Sequence, residues 1–160
     1  MTDAVVDRIL DAAERLFAEQ GPRGVGMAAI ADAAGCSRAT LYRYFENRRE
    51  LQTAFASREA GRIVDEVLAR SGDVVETVLG ALAEVRSRPS LAAWISPDAS
   101  AELLDVLRDS PLIEATIDSA DTDLARWTLR SLVSLLAFPP DDPAEEERLV
   151  RRFVAPLLAG

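Results

Sequence analysis

The chain has 160 residues, 49% of them hydrophobic, and a formal net charge of -9, which is enough to bury a core as one domain or as one small domain with an appendage. No apolar run approaches the ~18 residues of a membrane span, and the opening "MTDAVVDRIL" carries aspartates where a signal peptide has a basic region, so the expected compartment is the cytoplasm, with no membrane partner. Histidine is absent and Cys36 is the single cysteine, which excludes an internal disulfide and removes the usual parts of metal sites and catalytic triads; no catalytic residue, metal ligand or cofactor is assigned.

The charge is unevenly placed. Residues 21–58 hold six arginines against three acids, whereas residues 61–160 hold ten arginines against eighteen acids. A basic segment on an acidic chain marks a local surface for an anionic partner better than it marks general affinity for nucleic acid. All eighteen cations are arginine, a bias read here as genomic composition.

In chain order, Val6, Ile9, Leu10, Ala13, Leu16 and Phe17 recur at spacings of three and four and predict a helix of about four turns. "Glu-Gln-Gly-Pro" stops it at Gly21 and Pro22. Met27 to Ala34 reads as a short second helix closed by Gly35. Ser37 caps a third helix, about Arg38 to Phe45, by accepting from the Thr40 amide. Asn47, with Glu50 three residues on, opens a long fourth helix running to about Arg70. Between the second and third helices, Ala31, Gly35 and Leu41 supply a small facing residue, a positive backbone angle and a buried aliphatic, with Ile30 and Cys36 filling the space between. That is the logic of a helix-turn-helix.

With "ILDAAERLFAEQG", "MAAIADAAG", "SRATLYRYF" and "ENRREL" in this order, residues 5–55 resemble the amino-terminal DNA-binding domain of the TetR family of bacterial transcriptional regulators. The resemblance implies that the third helix enters the major groove, with Arg38, Ala39, Thr40 and Tyr44 at base edges and Tyr42 and Arg48 on phosphates; Ser37 and Arg43 are counted with this interface. The residues agree. Arginine can pair bidentately with guanine, and alanine or the threonine methyl can meet a thymine methyl. Phe45 is better placed for the core. Two departures stand out: Gly26 replaces the expected Ser or Thr cap of the second helix, followed by Ala28 and Ala29, which removes one or two phosphate contacts; and Arg48 replaces a common lysine, exchanging a point donor for a planar fork. Arg49 reads as solvated face beside Glu46 and Glu50, and Cys36 as a small buried hydrophobe.

Further along, Val74, Val75, Val78, Leu79, Leu82 and Val85 predict a fifth helix ending near "RSRPS". The proline-punctuated stretch "LAAWISPDASAELLDVLRDSP" offers Trp94, Ile95, Leu103, Leu107 and Ile113 as either a cavity wall or plain core. A helix from about Thr116 to Phe138 is apolar on more than one face. Asp142 and Pro143 open a last helix whose stripe is Leu149, Val150, Phe153, Val154, Leu157 and Leu158. Two such helices from each of two chains make a four-helix bundle, as the resemblance also implies.

The expected molecule is all-α, with a helix-turn-helix domain at residues 1–47 and a helical regulatory and dimerisation domain at 48–160. Its expected role is a homodimeric repressor on a pseudo-palindromic double-stranded DNA operator, with room for a small-molecule effector whose binding residues are not assigned. The alternative is a helical dimeric protein-interaction module that has lost DNA binding. An enzyme built on Asp121 and Asp123 lacks a partner base and a cofactor loop.

Overall fold

The computed structural model describes residues 4–95, 103, 104, 106 and 122–158, and every regular element among them is helical. Helix α1 (Ala4–Gly24) carries a break at Gly21, whose φ of 72° only glycine adopts freely. The predicted stop is therefore a sharp turn, after which Pro22 to Gly24 form one more helical step. Helices α2 (Met27–Ala33) and α3 (Arg38–Tyr44) follow as a short packed pair, with α2 also against α1, and α4 (Arg48–Leu68) is a long helix packed on α1 and on the fifth helix described next.

Helix α5 (Val74–Ser87) is capped by Asp73, which accepts from the Glu76 amide at 2.9 Å, and α6 (Pro89–Ala92) begins with proline where a missing N–H costs nothing. Helix α7 (Thr122–Ala137) agrees with the predicted helix over the residues that are described; its expected first turns, Thr116 to Asp121, and the cavity-wall candidates Leu107 and Ile113 lie outside them. Asp142 caps α8 (Pro143–Leu149) through the Ala144 amide at 2.9 Å.

The helix then widens into a π-helical turn, Val150–Val154, before α9 (Ala155–Leu158). Pro156 explains the widening. Its ring would meet the Arg152 carbonyl and it has no N–H to give, so the Ala155 amide bonds the Val150 carbonyl five residues back instead. The turn changes the register of the predicted stripe: Val150, Val154 and Ala155 are buried, while Phe153 stands out at 49% exposed.

Two apolar clusters form the core. The larger joins α1 to α4 with Trp94, Leu103, Val106 and Val133; at its centre the Phe17 ring meets Phe55 and Trp94 edge-on, at centroid distances of 5.1 and 5.9 Å. Trp94 is thus core packed against α1. The second cluster sets Val75, Val78 and Leu82 of α5 against Val150, Val154 and Ala155. Between them, Arg86 grips Glu146 with both Nη atoms at 2.5 and 3.0 Å and also donates to the Leu135 carbonyl, tying α5 to α7 and α8. Arg70 donates to Glu84 at 2.6 Å, a hydrogen bond that holds the Glu84 carboxyl below its ordinary range.

A buried ion cluster joins the first helices to the body. Glu59 is fully buried in α4, and its carboxylate accepts from Arg58 at 3.2 Å, Arg62 at 3.0 Å and Arg88 at 3.4 Å. Arg58 also reaches Asp11 and Glu14 on α1, and Arg88, at the junction of α5 and α6, reaches Glu66 at 2.5 Å. Low dielectric makes such a charge tolerable only with partners on every side.

Candidate nucleic-acid interface

The site is built from the α2–α3 turn outward. Gly35 takes φ 64°, the Cys36 amide donates to the Ala31 carbonyl and the Gly35 amide to that of Asp32, both near 3.0 Å. This pair of bonds is the Schellman closure of a helix, and it satisfies the last carbonyls of α2 while turning the chain. Ala31 and Leu41 are fully buried, Ile30 nearly so, and Cys36 is half-buried against the same cluster. The three-residue logic of the helix-turn-helix is therefore what the backbone does.

Ser37 then caps α3: its Oγ accepts from the Thr40 amide at 3.0 Å and lies 2.9 Å from the Thr40 hydroxyl. With the helix clamped at its start and Leu41 and Phe45 buried beneath it, a rotation of about 100° per residue carries Arg38, Ala39, Tyr42 and Arg43 onto one outer face. All four are exposed, Tyr42 at 48%. That face presents two guanidinium groups, a phenol hydroxyl and a methyl, which are groups chemically suited to base edges and phosphates.

Thr40 and Tyr44 lie on the flanks of this face, half-buried. The Tyr44 ring packs against the core and is covered by the Arg43 guanidinium at 5.1 Å. Arg48 stands further apart. Its guanidinium is turned inward, Nη2 donating to the Pro22 carbonyl, with Nε buried and without a partner. The structure thus brings Ser37, Arg38, Ala39, Tyr42 and Arg43 together and sets Tyr44 and Arg48 aside.

Two supports were not legible in the sequence. Arg15 of α1 reaches the Ala33 carbonyl at the end of α2, at 3.5 Å, and the Pro22 carbonyl receives Arg48 from twenty-six residues away. No local spacing marks either. The expected lack of a cap at α2 is present: Gly26 sits in extended geometry with no side-chain hydrogen bond. At the start of α4, Asn47 accepts from the Glu50 amide at 3.0 Å, while Glu50 reaches back to the Glu46 amide at 2.6 Å, one residue earlier than in the usual capping box.

Comparison with known proteins gives the same picture. The family profile for bacterial regulatory proteins of the tetR family matches residues 9–55. An uncharacterized HTH-type transcriptional regulator from Mycobacterium tuberculosis is 41% identical over 98% of this chain and 87% of its own length. The HTH-type transcriptional regulator AlkX of the same organism is 26% identical over 94% of this chain and 83% of its own. Among solved structures, the TetR family repressor AlkX from a Dietzia strain aligns with a TM-score of 0.58 at 25% identity, over 95% of this chain and 94% of that one. With a helix-turn-helix closed by Gly35 and capped by Ser37, and a relative alike along nearly the full length, the chain belongs to the TetR family of helix-turn-helix transcriptional regulators.

Proposed function

We propose that this protein is a ligand-responsive repressor that binds a pseudo-palindromic operator as a homodimer, each α3 entering one major groove. The observation that carries the reading is the outer face of α3, where Arg38 and Arg43 flank Ala39 and Tyr42 on a chain that is otherwise acidic. Arg38 and Ala39 read base edges from the first turn, and the Tyr42 hydroxyl and Arg43 hold phosphates. The repressor sense is supported by the Dietzia relative, a TetR family repressor implicated in the biodegradation of n-alkanes.

Two-fold assembly is supported by Trp127 on α7, Phe138 just after it and Phe153 in the π turn, exposed by 52%, 62% and 49%. Large apolar groups standing out on the last helices are what a four-helix dimer interface would cover. An effector would act by preferring one separation of the two reading heads. The test is a gel shift with the DNA upstream of the protein's own gene against a scrambled duplex of equal length. Selective retardation of the upstream duplex is expected. Equal or absent retardation overturns operator binding and favours the protein-interaction module.

A further inference from the structure

We infer that Arg48 is a positioning residue for the reading head, acting through the chain segment that links α1 to α2, and that it does not serve as a phosphate ligand. The inference rests on the reading of α3 as the recognition helix and deepens it.

The connector, residues 22 to 26, starts at the left-handed break of Gly21 and ends at Gly26, where α2 begins without a side-chain cap. An uncapped helix start leaves several amides unserved and frays readily. Three features hold it. Pro22 is buried, Val25 is 1% exposed, and the Pro22 carbonyl accepts from Arg48 Nη2. Arg48 is itself fixed, because it is the first residue of α4, directly after the Asn47 cap. Its guanidinium is therefore a rivet between the N-terminus of α4 and the N-terminal approach to α2. The connector runs directly into α2, so its position sets that of α2, and α2 carries α3 with it because the two share the Schellman turn and one apolar cluster.

The buried, unpartnered Nε points the same way. A group reaching for a phosphate keeps its N–H donors toward solvent, whereas this one gives up hydration of Nε to place Nη2 on a carbonyl. Arginine fits this role where lysine fails: a planar fork holds its direction when one edge is buried, and an ammonium on a flexible stem does not.

The experiment uses the full chain with Arg48→Met and Arg48→Lys. Each is titrated with the upstream duplex and a scrambled duplex over a series of salt concentrations, and each is followed without DNA by amide hydrogen exchange. The rivet predicts that both variants lose about tenfold on the upstream duplex, the scale of one hydrogen bond from a charged group, and change little on the scrambled one. The slope of log affinity against log salt stays at the wild-type value, and amides of residues 23–36 exchange faster while those of α5 and α7 do not. A phosphate contact predicts that Arg48→Lys matches wild type and that Arg48→Met lowers the slope by about one per half-site on both duplexes, with unchanged exchange; that result overturns the inference. Faster exchange throughout the protein, with equal losses on both duplexes, overturns it as well, because the residue is then merely structural. If the wild-type chain binds neither duplex, operator binding fails as a reading while the exchange arm still decides the rivet.

Discussion

At the scale of single residues, the outer face of α3 separates side chains by what they can touch. Arg38 is exposed in the first turn, beside the capped start of the helix, and its guanidinium suits a guanine edge. Arg38→Ala is expected to cost about 1 to 3 kcal/mol on the upstream duplex and little on scrambled DNA. Parallel titrations of the two duplexes check this, and equal losses on both would place Arg38 on the backbone. The two glycines flanking α2 behave oppositely although neither meets a neighbouring atom within 4 Å of an added Cβ. Gly35 has φ 64°, so Gly35→Ala is expected to destabilise by about 1 to 2 kcal/mol. Gly26 has φ -96° and ψ 158° at an uncapped helix start, so Gly26→Ser is expected to stabilise by a few tenths of a kcal/mol. Thermal melts of the pair should move in opposite directions; a Gly35→Ala melt at or above wild type would sink the argument from backbone angle.

At the scale of elements, the Glu59 cluster holds α1, α4 and the α5–α6 junction to one another around a single buried carboxylate. Replacing one partner leaves guanidinium groups desolvated against a neutral amide. Glu59→Gln is expected to lower stability by about 2 kcal/mol, less than a fully buried pair would lose because the side chain of Arg62 is half exposed. Urea unfolding at neutral pH checks the value, and a midpoint equal to wild type would mean that the cluster contributes nothing net. The π turn is the second device at this scale. It follows from Pro156 and re-aims Phe153 outward while Val150 and Val154 stay in the core.

At the scale of the whole molecule, the exposed Trp127, Phe138 and Phe153 call for a partner surface. A stable two-fold interface buries about 1,200 to 2,000 Å² in total. The chain is expected to sediment as a dimer at micromolar concentration, and Trp127→Glu, which places a charge on the exposed side of α7, is expected to sediment as a monomer with an unchanged helical spectrum. A Trp127→Glu dimer as tight as wild type would move the interface elsewhere. The larger core runs from α1 through α4 to Trp94 and Val133, so the helix-turn-helix and the helices that follow it are packed as one apolar unit.

What the sequence determined by itself was the set of turns and caps fixed by neighbours a few residues apart. The stop at Gly21, the cap of Ser37 on Thr40, the Gly35 turn, the opening of α4 at Asn47, the absent cap at Gly26 and the burial of Phe45 all depend on i to i+4 relations, which a linear string displays. The basic stretch on an acidic chain was legible for the same reason. Only the tertiary structure decided where long side chains go once the helices pack. Tyr44 turned to the flank under Arg43, Arg48 turned inward to Pro22, and Glu59 gathered arginines from its own helix and the α5–α6 junction. Arginine has many rotamers and reaches far, so its partner is chosen by which carbonyl or carboxylate the fold brings within range and by how little water remains there, and neither is written in the spacing of the chain.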